Sequence, residues 1–169
     1  MLQEANVFVA LGANLIDSDG RAPLETCRAA VTWMEERFAK VTARSSWYES
    51  EPVPPSDQPW FVNGVIQLTT DIGPGETLAI LHELERRAGR VRRIRWEARI
   101  LDLDLIAYGA CVSNIPGAPE LPHPRLGERA FVLEPLDEIA PDWRHPVSGL
   151  GAAEMLAALP PGQRLLRLP

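Results

Sequence analysis

Two carboxylates one residue apart in an apolar run demand a reason. Asp102 and Asp104 alternate with Leu101, Leu103 and Leu105. In an extended chain such residues share one face, with Cα atoms about 6.6 Å apart. Hard oxygens at that spacing can share one Mg²⁺, or hold two ions when phosphates supply the remaining ligands. Taken alone, the pattern equally describes two solvated acids on an exposed sheet face. The preceding stretch shifts the balance. Arg90, Arg92, Arg93, Arg95 and Arg99 lie in the ten residues that lead into the acidic run. Guanidinium forks meet phosphate or carboxylate oxygens in pairs. Carboxylates that can hold metal, set beside arginines, are what phosphoryl transfer requires.

Further candidates surround these. Trp96 sits among the arginines in a segment without apolar periodicity. It is either a core residue or the apolar cover of a loop that closes on a ligand. His123, between Pro122 and Pro124, is either a structural hydrogen-bonding residue or a phosphate contact. Phe131, two residues after Arg129, is either core or the second face of an aromatic sandwich with Phe61 around a flat heterocycle. No G-x-x-x-x-G-K-[ST] occurs, so the chain is not a P-loop enzyme. No kinase-type glycine loop followed by a lysine strand occurs either. Gly12-Ala13-Asn14 is too short a glycine signal to separate a tight turn from a phosphate loop.

The elements that must position these residues follow from periodicity. A buried strand is expected over Asn6–Leu11 and a helix over Pro23–Phe38, where Leu24, Cys27, Val31, Met34 and Phe38 recur at helical spacing. A strand is expected over Val41–Glu49, then a proline-rich loop, then a strand over Trp60–Thr70. Pro74 opens a second helix that Gly89 closes. Ile100–Tyr108 is the next strand. The order β-α-β-β-α-β predicts an α+β, ferredoxin-like fold: an antiparallel sheet with the helices packed on one face. A short segment over Phe131–Ile139 and a C-terminal helix near Gly151–Leu159 complete a single domain spanning residues 1–169. Strand alternation puts Leu101, Leu103, Leu105, Val62, Ile66 and Leu68 against the helices. Asp102, Asp104, Phe61 and Asn63 then share the opposite, open face.

Composition excludes several classes. The 169 residues carry a net charge of −6, which argues against generic nucleic-acid binding. Basic charge is nevertheless local, with seven of the arginines between Arg86 and Arg99. Cys27 and Cys111 have no metal-type spacing and predict no disulfide framework. The first fifteen residues contain an acid and too short an apolar run for a signal or membrane span. A cytoplasmic protein without a membrane partner is expected. Two other classes share the element order. A metal-dependent nucleotidyl-transfer palm would need a basic template groove, and an RNA-binding module would favour exposed aromatics over aspartates on its sheet.

Several stretches together resemble the 6-hydroxymethyl-7,8-dihydropterin pyrophosphokinases of folate biosynthesis over nearly the whole length. They are VFVALGANL, SDQPWFVNGV, ELERRAGRVRR, RWEARILDLDLIAYG, LPHPRLGERAFVLEPL and EIAP. The resemblance implies transfer of pyrophosphate from ATP to the hydroxymethyl group of the pterin, with release of AMP, by a monomer that uses two Mg²⁺ ions and binds no nucleic acid. It implies that Asp102 and Asp104 ligate the metals and that Arg90, Arg92 and Arg99 take part in catalysis. Ser50, Val53, Phe61, Asn63, Trp96 and Phe131 would meet the pterin. Glu85, Arg92, Arg95, Trp96, Arg99, Leu105, His123 and Arg129 would meet or support ATP. Residues 44–59 and 89–98 match the family's mobile loops. The chain departs from the family pattern where Glu97-Ala98 stands in place of Gly-Pro, and at Ala13, Glu51 and Pro124.

Overall fold

The computed structural model describes residues 4–89 and 100–169. The stretch 90–99, with Arg90, Arg92, Arg95, Trp96 and Arg99, lies outside the described residues. The elements are β1 (Ala5–Ala13), α1 (Pro23–Arg37), β2 (Lys40–Arg44), β3 (Tyr48–Ser50), β4 (Phe61–Thr70), α2 (Pro74–Arg87), β5 (Asp102–Tyr108), a 3-10 turn (Leu126–Glu128), α3 (Ala130–Ile139), α4 (Ala152–Ala157) and β6 (Leu165–Arg167). The pairings are antiparallel, in the order β5-β1-β4-β3-β6, with β2 also on β4. The β-α-β-β-α-β order and the ferredoxin-like sheet are as expected.

α1 and α2 pack on one face. Val7, Val9 and Leu11 of β1, Val62, Ile66 and Leu68 of β4, and Leu101, Leu103 and Leu105 meet Cys27, Val31, Met34, Leu81 and Leu84 there. Proline at the first turn of each helix costs no hydrogen bond, because that N–H lacks an intrahelical acceptor.

Three features differ from the expectation. The strand expected over Val41–Glu49 is broken. Arg44 pairs with Ile66 and Tyr48 with Asn63, so residues 45–47 face only residues 64 and 65, a bulge of one residue. The Ser45 hydroxyl accepts from the Val65 N–H at 2.9 Å. The Trp47 ring lies so close to Gly64 that a Cβ there would stand 2.6 Å from it. The far face of the sheet is also only partly open. Phe8 and Ala10 of β1, Val65 of β4, and Ile106 and Ala107 of β5 form a second core with Val132, Leu133 and Leu136 of α3 and Met155 of α4. Strand alternation places Phe8, Ala10, Val65 and Ile106 opposite the first core, and Ala107, next to Ile106, joins them where the β1–β5 register shifts, so these residues require cover of their own. Finally, the C-terminal residues add β6 to the edge of β3.

Candidate active site

The part of the far face that α3 and α4 leave uncovered is a cleft of about 260 Å³. Its floor is Ala10, Leu11 and Gly12 of β1 with Phe61 and Asn63 at the start of β4. Asp102 and Asp104 of β5 stand along one side. Ser50, Glu51, Pro52, Val53, Pro54, Ser56 and Gln58 form a wall, and His123, Arg125, Arg129 and Phe131 close the opposite rim. The open-face reading thus holds where the expected residues lie. The two aspartates, Phe61, Asn63, Ser50, Val53, His123, Arg129 and Phe131 all reach one cavity.

Local contacts fix several of these groups. Asn63, buried, donates from Nδ2 to the Ser50 hydroxyl, which orients its amide. Its Oδ1 faces Gly12, where a Cβ would lie 3.0 Å away. Glycine at this position leaves the amide oxygen room that alanine would crowd. Asn14 holds the wall to the end of β1, donating to Gln58 Oε1 at 3.2 Å and to the Pro59 carbonyl at 3.0 Å. Arg129 donates to Asp104 Oδ2 at 3.4 Å, and its Cζ lies 5.6 Å from the centroid of the Phe131 ring. This arginine therefore links the acidic side of the cleft to its aromatic side.

His123 sits between cations and an acid. Burial pushes its pKa down to about 4; the Arg129 and Arg125 charges act in the same direction and Asp102 opposes them. The imidazole is neutral at pH 7. Its Nδ1 accepts from the Arg125 N–H at 3.2 Å. The proton therefore belongs on Nε2, which is a hydrogen-bond donor.

Two expected residues lie elsewhere. Glu85 is buried behind β5, where its Oε2 accepts from the Leu103 N–H at 3.2 Å. It braces the acidic strand and does not line the cleft. The Leu105 side chain is buried among the helices on the opposite face, outside the cleft. Gly12, weighed between a tight turn and a phosphate loop, lies on the cleft floor, and Arg125, a basic residue two positions from His123, lines the rim without having been singled out.

Among the described residues, no group of three or more His, Cys, Asp or Glu side chains gathers as a metal cage. Asp102 and Asp104 supply two hard carboxylates on one wall. That donor set fits Mg²⁺, which keeps waters and takes substrate phosphate oxygens alongside one or two protein carboxylates.

The fold and cleft define a class: a ferredoxin-like antiparallel sheet whose uncovered face carries a cleft lined by two carboxylates, an arginine and two phenylalanines. A family model described as 7,8-dihydro-6-hydroxymethylpterin-pyrophosphokinase (HPPK) matches residues 8–141. The chain is 42% identical over 155 residues to the 2-amino-4-hydroxy-6-hydroxymethyldihydropteridine pyrophosphokinase of Pseudomonas aeruginosa, covering 91% of both chains. It is 42% identical over 123 residues to the enzyme of the same name from Methylorubrum extorquens, covering 72% of this chain and 75% of that one. Among solved structures, a Plasmodium falciparum HPPK-DHPS triple mutant matches with TM-score 0.74 and 12% identity, over 92% of this chain and 44% of that one. The chain spans less than half of that solved protein, and the likeness to it is one of fold. The chain belongs to the 7,8-dihydro-6-hydroxymethylpterin-pyrophosphokinase family. As a member it is a pyrophosphoryl-transferring enzyme of folate biosynthesis. Neither relative named here is a nucleotidyl-transfer palm or an RNA-binding module. No helix of the described residues is long and apolar enough to cross a membrane.

Proposed function

We propose that this cleft moves the pyrophosphoryl group of ATP onto the hydroxymethyl oxygen of 6-hydroxymethyl-7,8-dihydropterin. One observation carries the reading. A single cavity joins two carboxylates and an arginine to a pair of phenylalanines and an oriented amide. The first set suits a triphosphate, and the second suits a flat ring with a hydrogen-bonding edge.

Phe61 and Phe131 stack the pterin from opposite sides. Asn63 presents Oδ1 to its ring N–H groups, because Nδ2 is engaged by Ser50. Val53 and its neighbours exclude water, which would otherwise compete as nucleophile. The His123 Nε2–H and the Arg129 guanidinium meet the phosphates. Arg90, Arg92, Arg95 and Arg99 are assigned to the triphosphate from their sequence positions. Asp102 and Asp104 would hold Mg²⁺, two ions when ATP completes the shells, and the metal would offset phosphate charge and align the β-phosphoryl group. The pterin oxygen forms a bond to the β-phosphorus while the bond from that phosphorus to the α-phosphate oxygen breaks. AMP departs with that oxygen, and the hydroxyl proton is released to water. Holding both reactants in line supplies most of what such a transfer needs from protein groups. One chain supplies every group named, so the site needs no second copy.

Calorimetric titration tests the reading. Mg·ATP analogue and pterin should bind, each more tightly in the presence of the other, while single-stranded RNA should not bind. RNA binding without pterin binding would overturn it.

A further inference from the structure

The family match ends at residue 141, yet the chain beyond it grips the cleft from two sides. β6 sets Leu165 opposite Ser50 on β3, and the Glu51 N–H donates to the Arg164 carbonyl at 3.3 Å. These contacts hold the strand that enters the cleft wall. On the other side stands Gln163. Its Oε1 accepts from the Ala130 N–H at 2.8 Å, and its Nε2 donates to the Glu128 carbonyl at 2.8 Å. Arg129 is the residue between those two backbone groups, and Phe131 is the next one on. A crevice of about 120 Å³ lined by Ser50, Val53, Phe131, Gln163 and Arg164 joins the two sides.

Ala130 is the first residue of α3, so its N–H has no acceptor within the helix. Gln163 supplies that acceptor. Through its second bond, the same amide fixes the peptide on the other side of Arg129. With both flanking peptide planes held, the extended backbone of Arg129 (φ −121°, ψ 109°) cannot rotate freely. That conformation aims the guanidinium at Asp104 and starts α3 with Phe131 toward the cleft.

We propose that Gln163 is a positioning residue for the pterin half of the site: its amide locks the step from Glu128 to Phe131 so that the Phe131 ring is set for stacking. This rests on the pyrophosphokinase reading above. Gln163 acts through Phe131 and Arg129. The tail does not depend on it for docking. The β3–β6 ladder, the Leu168 N–H bond to the Trp47 carbonyl at 2.9 Å, the Arg167–Glu138 pair at 3.5 Å and the Arg164 guanidinium over Trp60 at 5.1 Å all remain without it.

The test compares full-length wild type, Gln163→Ala and Gln163→Glu by steady-state AMP release and thermal melting. Gln163→Ala should melt within about 4 °C of wild type. Its pterin KM should rise roughly 5- to 20-fold, the scale of one or two neutral hydrogen bonds, and its ATP KM by clearly less, because the long Arg129 side chain can still reach Asp104 and the phosphates, with kcat within about twofold. Gln163→Glu should recover only part of that loss, because a carboxylate still accepts from Ala130 at the positive end of α3 but has no donor for the Glu128 carbonyl. A wild-type pterin KM in Gln163→Ala would overturn the proposal. So would equal rises in both KM values with a much lower melting temperature, or a Glu variant no better than Ala. If wild type itself releases no AMP with the pterin, the functional reading fails and takes this inference with it.

Discussion

Asp104→Asn separates a metal-holding carboxylate from a structural one, because the two roles predict different magnitudes. The substitution keeps the shape of the side chain and an oxygen that can still accept from Arg129. What it removes is the charge. The Arg129–Asp104 contact is long, 3.4 Å, and the two side chains are 21% and 28% exposed. A partly solvated pair of this kind is worth at most about 1 kcal/mol. In a chain of 169 residues, that corresponds to a melting shift of about 2–4 °C. No core contact is lost, since Asp104 projects into the cleft while Leu103 and Leu105 pack against the helices. Catalysis should suffer far more. Removing one key electrostatic group from a transfer site costs about 10²- to 10³-fold in turnover. The assay is AMP release at saturating ATP, pterin and Mg²⁺, paired with a melt of the same preparation. A hundredfold loss of turnover with a near-native melting temperature supports the assignment. Near-normal turnover would refute it, and so would unfolding large enough to account for the lost activity.

Phe61→Ala and Phe131→Ala should each weaken pterin binding by about 1–3 kcal/mol while leaving ATP affinity nearly unchanged. Calorimetry showing equal losses for both ligands would make these rings core residues. His123 predicts an acid-sensitive fold. Its pKa is lowered from 6.5 to about 4 in the folded chain, so unfolding takes up a proton between those values. The stability it contributes is fully present above pH 6.5 and declines as pH falls toward 4. Glu138 is raised by burial but lowered overall by hydrogen bonds from Ser46 and Tyr48, and its stability is lost only below the ordinary carboxylate range. Urea titrations at pH 7.5 and 5 should therefore show a smaller difference for His123→Gln than for wild type. An unchanged difference would refute the half-buried, neutral histidine.

Much of this was legible in the sequence because the signals are local. Alternation along Leu101–Leu105 put the aspartates on one face and the leucines on the other, as the cleft and first core show. The helices announced themselves by apolar spacing and by proline at their first turns. What stayed hidden depends on distant contacts. The break between β2 and β3 exists because the Trp47 ring seats on Gly64, seventeen positions away. The segment Phe131–Ile139 is a helix on the far face, although Pro135 within it cannot donate to the Phe131 carbonyl. Three residues of β6 carry no periodic signal, and they become a strand only because the edge of β3 is there to receive them. At Leu105 the resemblance names an ATP contact, and alternation with Asp104 turns its side chain to the first core.

The most direct measurement follows both products of one reaction by ³¹P NMR and mass spectrometry, with ATP, Mg²⁺ and 6-hydroxymethyl-7,8-dihydropterin. The account predicts AMP and a pterin bearing two phosphates in equal amounts, with neither product formed when the pterin is left out. ADP with a singly phosphorylated pterin, or ATP cleavage indifferent to the pterin, would contradict it.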